Sequence, residues 1–289
     1  MTIPATQEAF GLLVIKGPDA SKLLQGQFTC NVNSMTNEQW QLGACCTAKG
    51  RMVSNFVIAR HDDCFYLRLS QSVLPILQKH LAKYAVFYKV NIEASSSPVC
   101  LIARPALSGT EQAFEWKEQS ATLYWPDGLA EYWAFDGQLP AEPQLSADDW
   151  QQADIKAGRV WVCEATSEHW IPQHVGWDKA GGVSFNKGCY TGQEVVARVQ
   201  YLGKAKKQLV LLSSAAAPAS APELLAAVTS PTTAKAVGEL ASWNGQTGLA
   251  VFNNAPEETS AAFSVAEQAF EVAVEALEET AEAAAETEA

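Results

Sequence analysis

Long hydrophobic runs are missing from this 289-residue chain. No window approaches the roughly 18 uninterrupted apolar residues that a membrane helix needs. Residues 1–8 hold no basic stretch followed by an apolar run, so nothing there reads as a signal peptide. Cys-x-x-Cys pairs are absent too. The seven cysteines are odd in number and irregularly spaced, with Cys45 and Cys46 adjacent, which suits no simple disulfide framework. His61, His80, His169 and His174 are scattered, and no Cys/His cluster has zinc spacing. No bound metal is expected, and most cysteines are expected to be small buried apolar residues in a reducing cytoplasm. The chain also lacks a phosphate-cradling glycine-rich loop, a His-Glu-x-x-His pair and a nucleophile elbow.

Basic residues are scarce toward the C-terminus. Residues 1–207 hold 19 of the 20 Lys and Arg and 20 of the 32 Asp and Glu, a net charge of −1. Residues 208–289 hold Lys235 and 12 acidic residues, a net of −11. The asymmetry argues against nucleic-acid binding by the whole protein and permits a local anion site on the neutral part.

What is present is an ordinary globular balance, 48% hydrophobic and 18% charged, with length for two domains or three small ones. Strands are expected at 12–15, 41–46, 52–58 and 64–69, with Lys49-Gly50 as a hairpin turn. Asp19 is placed as N-cap of a short helix carrying Ala20, Leu23 and Leu24 on one face. A second helix from about Ser72 carries Leu74, Leu77, Leu81 and Tyr84. Further strands are expected at 99–103, 122–125 and 131–135, then a helix capped at 146–149, running through Trp150 and ending at Gly158. That rhythm is an α+β layer rather than a doubly wound parallel sheet. From Lys206 the pattern becomes short β-like runs at 208–212, 235–243, 247–252 and 268–274, which suggests a small barrel. The expected organisation is 1–205 as two interleaved α+β subdomains, 206–274 as the barrel, and 275–289 as a solvated acidic tail.

The most informative run is Lys187-Gly188-Cys189-Tyr190-Thr191-Gly192-Gln193-Glu194. Thr191 and Glu194 have the spacing of a capping box, with Tyr190 and Val195 as its hydrophobic staple. Cys189 would then lie two residues before a helix N-cap, where amide groups favour negative charge. Lys187 adds a cation, and Gly188 would allow close backbone approach. A thiol so placed has its pKa drawn from ~8.5 toward neutrality. The alternative is a cysteine that merely fills space. Arg198, Lys204, Lys206 and Lys207 form a basic cluster that could hold a polyglutamate tail or an RNA phosphate, or be a solvated helix end.

Lys187 to Glu194 resembles the signature of the YgfZ family, relatives of the glycine-cleavage aminomethyltransferase that bind tetrahydrofolate. Leu23-Leu24-Gln25-Gly26-Gln27-Phe28-Thr29 is similar to that family's first-helix motif, and Ala48-Lys49-Gly50-Arg51-Met52 to its hairpin motif. Lys83-Tyr84-Ala85-Val86-Phe87, Ile155-Lys156-Ala157-Gly158 and Ile171-Pro172-Gln173 continue the match in the same order, from about Gly11 to Lys207.

The resemblance implies an α+β, aminomethyltransferase-like fold: two ferredoxin-like subdomains and a β-barrel around a central opening. It implies tetrahydrofolate as cofactor, with contacts from Phe10 (in place of a Trp), Trp150, Tyr190, Gln193, Glu194 and Arg198, and Cys189 as the acting thiol with Lys187 and the helix N-terminus stabilising its thiolate. The implied role is an accessory protein supporting iron–sulfur client enzymes and through them tRNA thiolation-type modification, with reduced folate as partner, tRNA contact indirect or weak, and no membrane. Asn31 and Gly176 depart from the family's usual Asp and Asn. Ser54 and Asn55 stand where the aminomethyltransferase carries an acidic pair, which leaves no carboxylate to orient the folate's reactive nitrogen. Two rivals stay open, a folate-dependent one-carbon transferase and a direct tRNA-binding module using the basic cluster.

Overall fold

The computed structural model of the chain describes residues 9–37, 39–103, 114–203, 206–254, 263–265 and 268–276. Two compact units share the chain. The first comprises Met1–Trp150, Trp161–His169 and Gly182–Gln193; the second comprises Gln151–Val160, Trp170–Gly181 and Glu194–Ala289.

The first unit holds two antiparallel sheets. One has strand order β2-β3-β4-β1-β5, from β1 (Phe10–Lys16), β2 (Trp40–Cys46), β3 (Met52–His61), β4 (Cys64–Ser70) and β5 (Asn91–Ser95). Helix α1 (Ala20–Gln27) follows β1, and α2 (Leu74–Ala85) follows β4. Ala20, Leu23 and Leu24 are buried on α1, and Leu74, Leu77 and Leu81 on α2, so the apolar spacing of both helices becomes packing. Each fully buried Leu contributes about 1.5–3 kcal/mol of transfer free energy. Asp19 stands at the N-cap of α1, but its carboxylate does not cap; it accepts the Lys89 amide at 2.8 Å. Gly50 closes the β2–β3 hairpin at φ +71°, a left-handed conformation in which glycine escapes a Cβ clash.

The second sheet has order β6-β9-β8-β7, from β6 (Val99–Ala103), β7 (Phe114–Lys117), β8 (Ser120–Tyr124) and β9 (Leu129–Ala134). Helix α3 (Ala147–Lys156) begins in a reciprocal cap. Ser146 Oγ accepts the Asp149 amide and Asp149 Oδ2 accepts the Ser146 amide, both at 3.1 Å.

The barrel expected after Lys206 belongs to the second unit. It closes in the order β10-β13-β12-β11-β14-β15, from β10 (Gln208–Ser214), β11 (Ala227–Thr229), β12 (Ala236–Asn244), β13 (Thr247–Phe252), β14 (Phe263–Val265) and β15 (Gln268–Ala276). Its core includes Val210, Leu212, Val228, Leu240 and Phe252. Closure leaves no unpaired edge. β15 runs to Ala276, so Glu275 and Ala276, expected in the acidic tail, lie in the barrel; residues 277–289 are outside the described residues. Among the described residues no helix is long and apolar enough to cross a membrane, and no group of three or more His, Cys, Asp or Glu could hold a metal ion.

Candidate functional site

Three motif stretches far apart in the chain meet in the first unit. Lys187 Nζ donates to the carbonyls of Gln25 (2.8 Å), Phe28 (2.6 Å) and Cys30 (2.8 Å). These oxygens lie at and just beyond the C-terminal end of α1, where carbonyls lack intrahelical partners and the helix dipole favours a cation. Burial pushes the Lys187 pKa down to about 8, while Cys30 acts in the opposite direction. Three carbonyl acceptors, one more than a neutral amine can serve, also favour the ammonium. All three N–H donors of Lys187 are thereby used, and none is left for a hydrogen bond to Cys189. The ammonium also lies 5.1 Å from the ring centroid of buried Tyr190.

The other end of the signature rests on the hairpin. Gly192 has φ +88°, and a Cβ there would come within 2.4 Å of the Thr47 carbonyl oxygen and 3.1 Å of Gly50 Cα. Thr191 donates its amide to the Gly26 carbonyl at 3.1 Å and its hydroxyl to Gln27 Oε1 at 3.3 Å. The capping box expected here therefore does not form. Helix α4 (Gln193–Leu202) starts after Gly192, whose left-handed backbone cannot be its first turn. The Thr191 hydroxyl serves a tertiary partner, and Glu194 pairs with Arg198 at 3.3 Å. Gly188, expected to permit close approach, faces open space: a Cβ there would meet nothing within 4 Å. The close approach belongs to Gly192.

This bracing presents one thiol. Cys189 is exposed, Cys30, Cys45, Cys46 and Cys100 are buried, Cys64 and Cys163 are half-buried, and all seven are free. Burial pushes Cys30 and Cys46 up to about 12 and Cys45 well above the ordinary thiol range.

Phe10 and Trp150 also meet, with ring centroids 4.8 Å apart. Between them and the second sheet lies a residue that the alternation of β4 gave no reason to single out. Arg68 is fully buried, with its Cζ 4.4 Å from the Phe10 centroid, 4.0 Å from Trp161 and 5.6 Å from Trp150. It forks onto fully buried Glu131 of β9, through Nε to Oε2 at 2.9 Å and through Nη2 to Oε1. Phe10 and Trp150 are only 9% and 3% exposed in this packing, whereas Trp161 is partly exposed. The sequence signal for the pair was two ionisable residues inside apolar β runs, Arg68 and Glu131.

The remaining expected contact residues divide between the units. Tyr190 and Gln193 belong to the first; Glu194 and Arg198 belong to the second. Of the basic cluster, Lys207 pairs with Glu239 at 3.0 Å, Lys206 is exposed, and Lys204 lies outside the described residues. Arg198, Val199, Leu202 and Gly203 line a cavity of 420 Å³. Ser54 and Asn55 are fully buried, and Asn55 Oδ1 accepts the Val162 amide at 2.8 Å.

No family model matches the chain. The solved structure of glycine cleavage system aminomethyltransferase T from Bartonella henselae shares its fold, with TM-score 0.66 at 12% identity over 93% of this chain and 82% of that one. Proteins named tRNA-modifying protein YgfZ match in sequence. The one from Colwellia psychrerythraea is 34% identical over 71% of this chain and 69% of its own length. Those from Klebsiella pneumoniae and Escherichia coli are each 36% identical over 73% of this chain, and over 71% and 72% of their own lengths. With such identity over more than two thirds of both lengths, the chain belongs to the YgfZ family.

Proposed function

We propose that this protein is a cytoplasmic, folate-binding accessory factor in tRNA modification, acting on iron–sulfur enzymes rather than on tRNA directly, with the Cys189 thiol as its acting group. The observation that supports this best is the bracing of the loop that exposes Cys189. Lys187, Thr191 and Gly192 tie it to α1 and the hairpin at chain separations above 130 residues. An exposed thiol on a fixed loop is suited to iron ligation or thiol exchange with a partner protein.

Tetrahydrofolate fits the residues present. Its flat ring calls for aromatic faces, which Phe10, Trp150 and Trp161 supply around a guanidinium. When bound, the cofactor would supply a one-carbon unit or a reduced pterin.

One-carbon transfer is the less favoured reading. Asn55 is buried and occupied by the Val162 amide, so no carboxylate orients a folate nitrogen there. Direct tRNA binding is weakened by the pairing of Lys207 with Glu239, both partly buried. Titration with 5-formyl-tetrahydrofolate, followed by intrinsic tryptophan emission, tests the folate half. A saturable change is expected; a flat trace would remove folate from the account.

A further inference from the structure

A fully buried ion pair is tolerated when the lone pairs and protons of both partners are satisfied. Glu131 meets that condition. Its two oxygens accept two bonds from Arg68, one from Trp125 Nε1 at 3.1 Å and one from Trp133 Nε1 at 3.3 Å. That fills the roughly four acceptor sites of a carboxylate. Arg68 does not meet it. Its Nη1 is buried with no hydrogen-bond partner among the described residues. The fork to Glu131 fixes the guanidinium plane, so the two Nη1 protons are held in set directions inside an aromatic box. Trp161, 4.0 Å from the guanidinium, is the one partly exposed ring among Phe10, Trp150 and Trp161.

We infer that Arg68 Nη1 is a ligand-reading donor, the specificity-determining group of a pterin subsite built with Phe10, Trp150 and Trp161, and that it takes the ring 4-oxo group. This rests on the folate-binding proposal above. Three features select that atom. Aromatic walls suit a flat ring and not a glutamate tail. Glu131 already neutralises the guanidinium, so the group facing Nη1 should be a neutral acceptor rather than a second anion. Arginine has donors and no acceptor, so it pairs with a ring carbonyl and rejects a ring amine, leaving two buried donors opposed if the wrong ring enters. Phe10 opens β1 and Trp150 lies in the first turn of α3, so both covering rings sit near element ends. A ring entering the box displaces one of them from the guanidinium and changes tryptophan emission.

The test compares two ligands that differ at one ring position, tetrahydrofolate and tetrahydroaminopterin, bound anaerobically to the full chain and followed by tryptophan emission. The 4-amino compound is expected to bind at least tenfold more weakly. In Arg68→Met/Glu131→Gln, which removes both charges together, the two ligands should bind within twofold of each other. If tetrahydrofolate itself does not bind the wild-type protein, the folate proposal fails and this inference with it. If it binds and the wild-type preference is below tenfold, the Arg68 assignment alone is overturned; that comparison stands even if the double variant does not fold. A tenfold preference that survives in the folded double variant overturns the assignment as well.

Discussion

Lys187 Nζ lies 2.6 Å from the carbonyl oxygen of Phe28, a residue 159 positions earlier in the chain. With the Gln25 and Cys30 carbonyls, this makes the lysine a half-buried clasp between the signature loop and the end of α1. Lys187→Met keeps the stem and removes the donors. It is expected to cost about 2–3 kcal/mol, because carbonyls turned inward lose a charged partner. Lys187→Arg should restore only part, since a planar fork cannot meet three convergent carbonyls. Urea unfolding gives the cost, and amide exchange at residues 187–192 should rise locally; unchanged protection there would contradict the clasp.

The two glycines of the signature should behave differently. Gly192→Ala forces a side chain into left-handed backbone and against the Thr47 carbonyl, for an expected loss of at least about 2 kcal/mol. Gly188→Ala meets open space and should stay within about 0.5 kcal/mol. Thermal melts of the two variants decide it, and equal losses would show that the loop is placed differently.

Alkali should destabilise the fold through its buried thiols. Folded Cys30 and Cys46 titrate at about 12 and Cys45 well above its ordinary value, because burial disfavours the thiolate. Unfolded thiols ionise near ~8.5. Above that pH the folded state retains protons that the unfolded state has lost, so stability falls as pH rises; below it their contribution is fully present. Each thiol contributes a slope of up to about 1.4 kcal/mol per pH unit. Lys187, lowered to about 8, pulls the other way but is a single group against four, since burial also pushes Cys100 up to about 12. Urea midpoints under reductant should drop between pH 8.5 and 10, and Cys45→Ala/Cys46→Ala should lose most of that slope.

Trp150→Ala should weaken reduced-folate binding more than Phe10→Ala, the indole being the larger stacking surface. Trp243→Ala, in the barrel strand β12, should leave binding by the folded protein unchanged. All three rings are buried and each truncation is expected to cost about 3–5 kcal/mol of stability, so affinity must be measured well below the melting temperature. Equal affinity losses from Trp150→Ala and Trp243→Ala would remove Trp150 from the site.

Local signals carried the elements that depend on local chemistry. The Lys49-Gly50 turn, the α1 and α2 faces and the Ser146 cap all follow from turn propensity or helical spacing. Strand β5, Asn91–Ser95, has little β-branched or aromatic character and is set by pairing with β1, which no local pattern announces. The capping box at Thr191 failed for a related reason: Gln27, 164 residues away, takes the hydroxyl and Gly192 takes a left-handed turn against the hairpin. The burial of Arg68 inside an apolar β run was a weak signal, because an arginine in an alternating strand ordinarily faces water and its carboxylate partner lies 63 residues on, in another sheet.

Cys189, as proposed above, acts as a thiol on the braced loop. In cells deprived of this protein, tRNA thiolation-type modification should be restored by wild type and not by Cys189→Ala, while the purified variant keeps its melting temperature and binds 5-formyl-tetrahydrofolate. Mass spectrometry of the modified nucleosides is the readout. Full restoration by Cys189→Ala would contradict the account and leave the signature with a purely structural task.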